Sequence, residues 1–339
     1  METLVLDLRA GEQKRKIATA AEIIKRGGIV AMPTETVYGL AASAMDDSAI
    51  EKVFIAKGRP QDNPLIVHID SAEMLGSVAK DIPEIAFTLA EKFWPGPFTM
   101  VLEKAQGIAK SVSAGLSTVA VRMPDNAVAR ELIRVSGLPL AAPSANISGY
   151  PSPVTAAHVI NDLSGRIDAV LSADDCTVGV ESTVVSLVTT PPRLLRPGAV
   201  TVEQLREYLP DLVVDPAVLA ELESGTKAVS PGMKYKHYSP KTQVVLVEGE
   251  SEAYSDFVNK TENCVAVCFE NDSGIKIPSI VYGNANDEAT LAKNIFAVLR
   301  QLDAKAYKTA YVHAPSKTGI GLAVYNRLIR AAGFKVIEL

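Results

Sequence analysis

The 339-residue sequence has little cysteine and little net charge. Its three cysteines are Cys176, which stands alone, and Cys264 and Cys268, which share the apolar segment NCVAVCFE. This spacing matches neither a disulfide framework nor a zinc site, because both need clustered or regularly spaced cysteines. We therefore expect small core or surface thiols rather than a redox or metal site.

Charge and hydropathy exclude two further classes. The net charge of −5 and the pI of about 5.6 give no overall attraction for nucleic acid, so strong direct nucleic-acid binding is not expected. An anionic ligand would need a local cluster of cations. No apolar run approaches the roughly 20 residues of a membrane span. The N-terminus METLVLDLRAGEQKRK has charges where a signal peptide has its apolar centre, so we expect a cytosolic protein with no membrane partner.

Common nucleotide and hydrolase motifs are also missing. The sequence contains no G-x-x-x-x-G-K-[ST], no H-E-x-x-H and no G-x-S-x-G. The segment TGIGLAV begins like a dinucleotide fingerprint, but Val324 stands where the third glycine belongs. Gly319 is ordinary at a helix start, so we interpret this segment as structural.

Strand-like and helix-like segments alternate over the first two thirds of the chain, which indicates an α/β sheet layered with helices. The pattern thins after TVEQLREYLPDL and resumes near residue 241. We predict a first domain over residues 1–210, a linker over 211–240 that contains PGMKYKHYSP, and a smaller α/β domain over 241–339.

Polar residues of the first domain collect where strands end. In open α/β sheets ligands lie beyond the carboxyl ends of strands, so these residues predict one site. Cations among hydroxyls and amides suit a phosphorylated ligand, because guanidinium groups fork onto phosphate and lysine acts as a point charge. The candidates are Thr34, Thr36, Tyr38, Lys57, Arg59, Asn63, His68, Thr118, Arg122, Ser144, Asn146, Ser152, Ser182 and Arg196.

Each candidate also has a purely structural interpretation. Lys57 and Arg59 would complement the dipole at a helix C-terminus. His68 lies in the apolar segment PLIVHI, where a hydrogen-bonded core histidine is the common case. The segment APSANISG is also typical of a Ser/Asn turn, and Tyr38 of packing. Only the combination favours a binding site.

The combination of K-x-R with S-x-N downstream resembles the threonylcarbamoyl-AMP synthase family. It stands here as Lys57-Gly58-Arg59 and Ser144-Ala145-Asn146, surrounded in the family's order by PTETVYGL, NPLIVHI, WPGPFT, VAVRMPD, ESTVV and LRPGAV. The match covers roughly residues 13–200. PGMKYKHYSP and the last 100 residues resemble the longer branch of the family. The resemblance implies a YrdC-like twisted mixed sheet layered with helices, followed by a smaller Rossmann-like α/β domain.

The resemblance implies a nucleotidyltransferase that converts L-threonine, bicarbonate and ATP, with Mg²⁺, into threonylcarbamoyl-AMP and pyrophosphate. The product feeds threonylcarbamoyladenosine modification of transfer RNA, so the downstream partner is the tRNA threonylcarbamoyl-transferase machinery. The carbamate of threonine and the triphosphate are both anions. At 4 Å each charge pair repels by about 4 kcal/mol at an effective dielectric near 20, which explains why the site needs cations.

The resemblance also implies roles for individual residues. Lys57 and Arg59 act in catalysis on the triphosphate and the departing pyrophosphate. His68 positions the substrate rather than titrating, and no general base is evident. The carbamate and the mixed anhydride need protection from water, so we predict that PGMKYKHYSP folds over the pocket as a lid and that Tyr235 reaches ATP from it. A plain tether with incidental aromatics is the alternative. Threonine is bound by Thr36, His68, Arg122, Ala142 and Ser182; ATP is bound by Lys57, Arg59, Asn63, Thr118, Ser144, Asn146, Ser152, Arg196 and Tyr235.

One alternative belongs to a different class. A non-catalytic RNA-binding module would use the same basic concave surface. The net charge and the lack of lysine and arginine clusters with interleaved aromatics disfavour it. Threonine-dependent release of pyrophosphate separates the two hypotheses. The sequence assigns neither a role to the last 100 residues nor an oligomeric state.

Overall fold

The computed structural model describes residues 2–220, 238–305 and 307–339, so the predicted lid residue Tyr235 lies outside the described part of the chain. Two separate sheets organise these residues. The front sheet holds β1 (Leu4–Asp7), β2 (Val30–Met32), β3 (Gly39–Ser43), β4 (Ile66–His68), β5 (Ala79–Lys80), β6 (Phe98–Lys104), β7 (Thr118–Arg122), β8 (Leu140–Ala141), β9 (Ala169–Ser172), β10 (Thr183–Ser186), β11 (Arg193–Arg196) and β12 (Val213–Val214). The second sheet holds β13 (Gln243–Glu248), β14 (Cys264–Phe269), β15 (Ser279–Gly283), β16 (Thr309–His313) and β17 (Val336–Glu338).

Helices cover both sheets. They are α1 (Gln13–Lys25), α2 (Asp47–Lys57), α3 (Ala72–Val78), α4 (Glu84–Phe93), α5 (Ala127–Ser136), α6 (Ala156–Leu163), α7 (Val202–Arg206), α8 (Ser251–Asn259), α9 (Glu288–Ala304) and α10 (Gly321–Ala331). Among the described residues, no helix has the length and apolar character needed to span a lipid bilayer.

The front sheet is mixed, in the order β1-β9-β2-β3-β8-β4-β7-β6-β10-β11-β12, with β5 added to β6. β4 runs parallel to β7, whereas β6 runs antiparallel to β7 and β10 runs parallel to β6. Because of these directions, the C-terminal ends of β4 and β7 and the N-terminal ends of β6 and β10 lie on the same side of the sheet, which we call its strand-terminal edge. The end of β11, antiparallel to β10, lies there too. One edge of the sheet therefore collects residues from five strands.

The boundaries of α2 determine where the K-x-R segment lies. The Asp46 side chain accepts hydrogen bonds from the backbone N–H groups of Ser48 and Ala49 and so begins the helix. Gly58 ends it in the left-handed conformation with φ of 61°, which glycine adopts at little cost. Ile50, Val53 and Phe54 bury the face toward the sheet. Lys57 is therefore the last helical residue and points inward, while Arg59 follows the turn.

All pairings in the second sheet are parallel, in the order β15-β14-β16-β13-β17. Its strands are mostly buried, as expected for a parallel sheet covered by helices. The predicted fold class, a mixed front sheet followed by a smaller parallel α/β unit, is thus confirmed. The domain limits at residues 210 and 240 stay predictions. β12 still belongs to the front sheet, and β13 begins the second one.

The two units share one continuous hydrophobic core. Every residue of α10 is buried, which is expected for a helix packed on both sides. A second core cluster on the other face of the front sheet joins α1 and α5 to its strands. The thiols of Cys176 and Cys268 are buried and unpaired, in agreement with the structural interpretation of these cysteines.

Candidate active site

A cavity of about 750 Å³, partly open to solvent, lies at the edge of the front sheet where the five strand termini meet. Twelve of the residues that the sequence predicts line it: Thr34, Thr36, Lys57, Arg59, His68, Arg122, Ala142, Ser144, Asn146, Ser152, Ser182 and Arg196.

Lys57 is 1% exposed and joins the two signature segments. Its Nζ donates hydrogen bonds to the backbone carbonyls of Ser144 and of Asn146, the second at 2.6 Å, and lies 3.4 Å from Asn146 Oδ1. Burial first, and the nearby charge of Arg59 second, lower the pKa of Lys57 well below its usual value. Nζ nevertheless faces three oxygen acceptors, which match the three N–H donors of an ammonium group, so the lysine holds the S-x-N loop as a cation.

The Asn146 side chain fixes the rest of that loop. Its Nδ2 donates to the carbonyls of Ile147 and Tyr150, at 2.8 and 2.9 Å. Its Oδ1 accepts a hydrogen bond of 2.5 Å from Ser144 Oγ. The loop that resembles a simple Ser/Asn turn is therefore a rigid part of the wall, bound to α2 through Lys57.

Arg122 lines the cavity and forms a buried ion pair beside it. Its Nη2 lies 2.6 Å from Glu35 Oε1, and both side chains are less than one tenth exposed. Its Nη1 donates to Thr36 Oγ1 at 2.8 Å, and its Nε donates to the Gly96 carbonyl at 3.2 Å. The guanidinium predicted to clamp a carboxylate therefore already faces one from the protein itself.

His68 pairs with Arg122 in the register of β4 and β7 and is 3% exposed. Burial and the neighbouring charge of Arg122 lower the pKa of His68 to about 3. Its imidazole is consequently neutral at physiological pH. Nδ1 is buried and makes no hydrogen bond to the described residues. A neutral ring with an unused nitrogen suits a positioning group better than a proton acceptor whose charge changes near pH 7.

Arg196 and Ser182 meet on the opposite wall. Arg196 Nε donates to the Ser182 carbonyl at 3.0 Å, and its Nη2 donates to Ser182 Oγ at 3.1 Å. Thr99 Oγ1 lies 2.7 Å from the same hydroxyl. Burial is the main cause that lowers the pKa of Arg196 to about 10, so the residue keeps its charge at neutral pH.

Arg59 lies at the cavity mouth and is half-buried. Its Nη2 donates to the carbonyls of Asn63 and Pro64, at 3.3 and 3.5 Å. Arg59 therefore completes a set of four cationic side chains along one cavity.

Two of the predicted ATP residues, Asn63 and Thr118, are described and do not line the cavity. Asn63 is buried beside it and contributes its backbone carbonyl to Arg59, while its Oδ1 has no hydrogen-bond partner among the described residues. Thr118 begins β7, whereas Arg122 ends it, so the two are about 13 Å apart along the strand. Tyr235 lies outside the described residues. Their roles toward ATP stay predictions.

Two candidates have structural roles. Tyr38 Oη donates to the Ala173 carbonyl at 3.2 Å and does not line the cavity, which agrees with the packing interpretation. Thr34 Oγ1 donates to the Val37 carbonyl at 2.6 Å and lies 2.8 Å from Thr36 Oγ1. It closes the PTET turn that presents Thr36.

Sequence reasoning missed two carboxylates and one ring. Glu35 and Glu181 are buried at the site, and Tyr238 lines the cavity from the end of PGMKYKHYSP. Both glutamates stand next to hydroxyl side chains in the motifs PTETVYGL and ESTVV, and this position gave the only available signal. Because an acidic residue in a loop is usually solvated, their burial required knowledge of their arginine partners.

The described residues contain no group of three or more His, Cys, Asp or Glu side chains that could hold a metal ion. Glu35 faces Arg122, and Glu181 accepts hydrogen bonds from other side chains. The donor set therefore does not form a protein cage for Mg²⁺. Mg²⁺ usually binds through substrate phosphates with few protein ligands. A role for Mg²⁺ therefore stays a prediction only as an ion that enters with ATP.

Comparison with known proteins defines first the class and then the family. One family model, described as Telomere recombination, matches residues 22–198, and another, described as Threonylcarbamoyl-AMP synthase, C-terminal domain, matches residues 200–333. The crystal structure of Pyrococcus abyssi Sua5 complexed with L-threonine superposes with a TM-score of 0.90 at 39% identity, covering 100% of both chains. The fold is thus that of a two-domain protein with a YrdC-like front domain.

Two curated relatives narrow the class. The Pyrococcus abyssi protein named threonylcarbamoyl-AMP synthase is 42% identical over 99% of this chain and 100% of its own length. The Bacillus subtilis protein of the same name is 41% identical, over 95% and 94%. The chain belongs to the threonylcarbamoyl-AMP synthase family. The resemblance inferred from the K-x-R and S-x-N segments is confirmed, as is the prediction of an enzyme of nucleotidyltransferase type.

Proposed function

We propose that this protein is an L-threonylcarbamoyladenylate synthase that joins L-threonine, bicarbonate and ATP in the front cavity. The observation that carries the proposal is the convergence of Lys57, Arg59, Arg122 and Arg196 on one cavity of a protein with net charge −5. Four cations in one cavity offset the mutual repulsion of two anionic reactants.

The threonine side of the proposed site is the wall around Arg122. Its guanidinium meets the substrate carboxylate, with the hydroxyls of Thr36 and Ser182 nearby for polar contacts. The backbone N–H of Ala142 donates to the Ile66 carbonyl at 3.0 Å, which ties Ala142 to β4 beside His68. A neutral His68 adds a hydrogen-bonding ring without adding charge. The crystal structure of the Pyrococcus abyssi relative with L-threonine supports threonine as the amino-acid substrate.

The ATP side comprises the remaining cations and the S-x-N loop. Arg59 and Arg196 provide forked donors for phosphate oxygens. Lys57 contributes its charge and holds Ser144 and Asn146 against the same wall. Ser152 lies next to them and lines the cavity. We propose that Mg²⁺ enters with ATP, bound by the phosphates rather than by a protein cage.

The proposed chemistry balances without a redox partner. The uncharged amine of threonine attacks bicarbonate, and loss of water leaves an N-carboxylate. An oxygen of this carbamate attacks the α-phosphorus of ATP, and the bond from that phosphorus to the bridging oxygen breaks. Pyrophosphate leaves with the electron pair, and the fixed cations stabilise the charge that develops on it. Threonine reacts as the free amine, so His68 need not accept its proton.

The product is a mixed anhydride, which water hydrolyses readily, so a transferase must consume it. We propose that this acceptor step is the transfer of the threonylcarbamoyl group to adenosine in transfer RNA. The cytosolic location stays a prediction.

Pyrophosphate release tests the proposal. With ATP, Mg²⁺ and bicarbonate present, we expect release that depends on added L-threonine. Release that is independent of threonine would contradict the synthase and indicate a general ATPase. No release at all, together with tight binding of duplex RNA, would favour the non-catalytic RNA-binding module instead.

A further inference from the structure

The cavity is not built from the front domain alone, because one buried arginine of α10 reaches its wall. Arg327 is 0% exposed and lies on the helix of the second unit that packs against the front domain. A fully buried guanidinium is expensive unless it is paired and hydrogen-bonded. The hydrogen-bond partners of Arg327 therefore indicate its role.

Arg327 binds two loops of the front domain at once. Its Nε donates to Glu181 Oε2 at 2.8 Å, and its Nη2 donates to the Glu181 backbone carbonyl at 3.3 Å. Its Nη1 donates to the Pro197 carbonyl at 2.9 Å. Glu181 precedes Ser182 and Pro197 follows Arg196, so both loops carry a residue of the cavity wall.

Glu181 connects this arginine to the cavity. It lines the cavity, and its second oxygen, Oε1, accepts a hydrogen bond of 2.5 Å from Ser152 Oγ. An unpaired carboxylate at this position would repel the phosphates that the cavity is proposed to bind. The Arg327 guanidinium neutralises the Glu181 carboxylate and so removes this repulsion.

We propose that Arg327 is a positioning residue through which the second domain completes the site: it neutralises Glu181 beside the ATP-side residue Ser152, and it fixes the two loops that carry Arg196, on the ATP side, and Ser182, on the threonine side. This inference rests on the proposed function. It also gives the second domain a role in the reaction, because in the described part of the chain the cation that is hydrogen-bonded to Glu181 comes from α10.

The groups around Glu181 set the sign of the expected pH effect. Arg327 faces it from α10, Arg196 from β11, Ser152 from the loop after the S-x-N segment, and the Tyr238 ring lies 5.8 Å from the Arg327 guanidinium. Burial raises the pKa of Glu181, but the charges of Arg327 and then Arg196 outweigh it, so its pKa is below the usual value. Without the charge of Arg327, the effect of burial is no longer outweighed to the same extent, so the pKa of Glu181 rises.

The test compares Arg327→Gln, Glu181→Gln and the double variant with the unmodified full-length protein. The readouts are the KM for ATP in the threonine-dependent assay and the Kd for Mg²⁺-ATP by calorimetry, each from about pH 6 to about pH 8. Arg330→Gln is the matched control. It lies one turn further along α10, is 5% exposed and donates to the Ala217 carbonyl at 2.6 Å rather than to Glu181.

In Arg327→Gln we expect KM and Kd for ATP to rise about tenfold with pH, as Glu181 ionises without its partner. The double variant has no carboxylate to ionise, so its values should be independent of pH and closer to those of the unmodified protein. Arg330→Gln should show no such slope.

A loss in Arg327→Gln that is the same at every pH and is not relieved in the double variant would overturn the inference and leave Arg327 a structural residue. If the unmodified protein bound ATP but released no pyrophosphate with threonine, the proposed function would be wrong. The Kd values for Mg²⁺-ATP would then still test the role of Arg327. If the unmodified protein neither bound nor turned over ATP, both would fall.

Discussion

Lys57 Nζ lies 2.6 Å from the Asn146 carbonyl, and this contact joins the two short segments by which the sequence is recognised. The K-x-R segment ends α2, and the S-x-N segment follows β8, 87 positions later in the chain. A buried cation that binds backbone carbonyls makes the two segments one rigid unit. The signature therefore describes a structural contact as well as a set of ligand-binding groups.

Replacement of this lysine should reduce both stability and activity. Lys57→Met leaves the carbonyls of Ser144 and Asn146 without their buried donor, which should cost about 1–3 kcal/mol in the free energy of unfolding. The S-x-N loop also loses its anchor, so threonine-dependent pyrophosphate release should fall by about 100-fold. Urea unfolding and the release assay measure the two effects.

The matched control is Lys52→Met on the same helix. Lys52 is exposed and also donates to a backbone carbonyl, that of Gly27, at 2.7 Å. We expect this variant to stay within about 1 kcal/mol of the unmodified protein and to keep its activity. Equal losses in both variants would contradict a special role for Lys57.

The Arg122–Glu35 pair predicts that threonine binding and stability are linked. Glu35→Gln removes the internal partner of a buried guanidinium, which should destabilise the protein by about 3–5 kcal/mol in the absence of ligand. If the substrate carboxylate uses the same guanidinium, added L-threonine should raise the melting temperature of this variant more than that of the unmodified protein. Thermal unfolding with and without threonine measures the difference.

A surface pair provides the comparison. Arg134 Nη1 lies 2.6 Å from Glu131 Oε2 on the solvent-facing side of α5, and such pairs contribute about 0–1 kcal/mol. Glu131→Gln should therefore change neither stability nor the response to threonine. An identical threonine response in Glu35→Gln and in the unmodified protein would separate Arg122 from the substrate carboxylate.

His68 should weaken the folded state in acid. Its pKa is about 3 in the folded protein, below the usual value near 6.5, so below pH 6.5 the unfolded chain takes up this proton first. Stability is then lost as the pH falls from about 6.5 toward 3, by at most about 1.4 kcal/mol per pH unit.

His68→Gln lacks this proton. Its free energy of unfolding, measured in urea at pH 7 and at pH 5, should fall less between the two values than that of the unmodified protein. Parallel pH dependence in the two proteins would show that the imidazole is not held neutral. The same variant should leave the shape of the pH–activity profile unchanged above pH 6, because His68 does not titrate there.

Much of the fold could be predicted, because strong local patterns agreed with the final packing. The segment DDSAIEKVFIAKG has an aspartate and a glycine where a helix typically begins and ends, and it forms α2; the apolar segment NCVAVCFE forms a buried strand. β3 was not evident, because its sequence GLAAS is rich in glycine and alanine and has weak strand propensity. Pairing with β2 and β8 holds β3 in the extended conformation that its own sequence does not indicate.

The sequence predicted most of the residues that line the site but not the contacts between them. Polar residues at strand ends identified most of the cavity wall. The two carboxylates and Arg327 were not found, because Glu181 and Arg327 are 146 positions apart and lie in different units. Such a pair depends on how α10 packs against the front domain, which no local pattern specifies. The placement of Lys57 inside the wall depends similarly on a loop far away in the chain.

The measurement that tests the central claim most directly is threonine-dependent pyrophosphate release by the Lys57→Met, Arg59→Met double variant. Two neutral side chains of similar length keep the volume but remove half of the four cations that line the cavity. A folded double variant, verified by circular dichroism, should release pyrophosphate at least about 1000-fold more slowly. A rate equal to that of the unmodified protein would contradict the account, because the two anionic reactants would then meet without these charges.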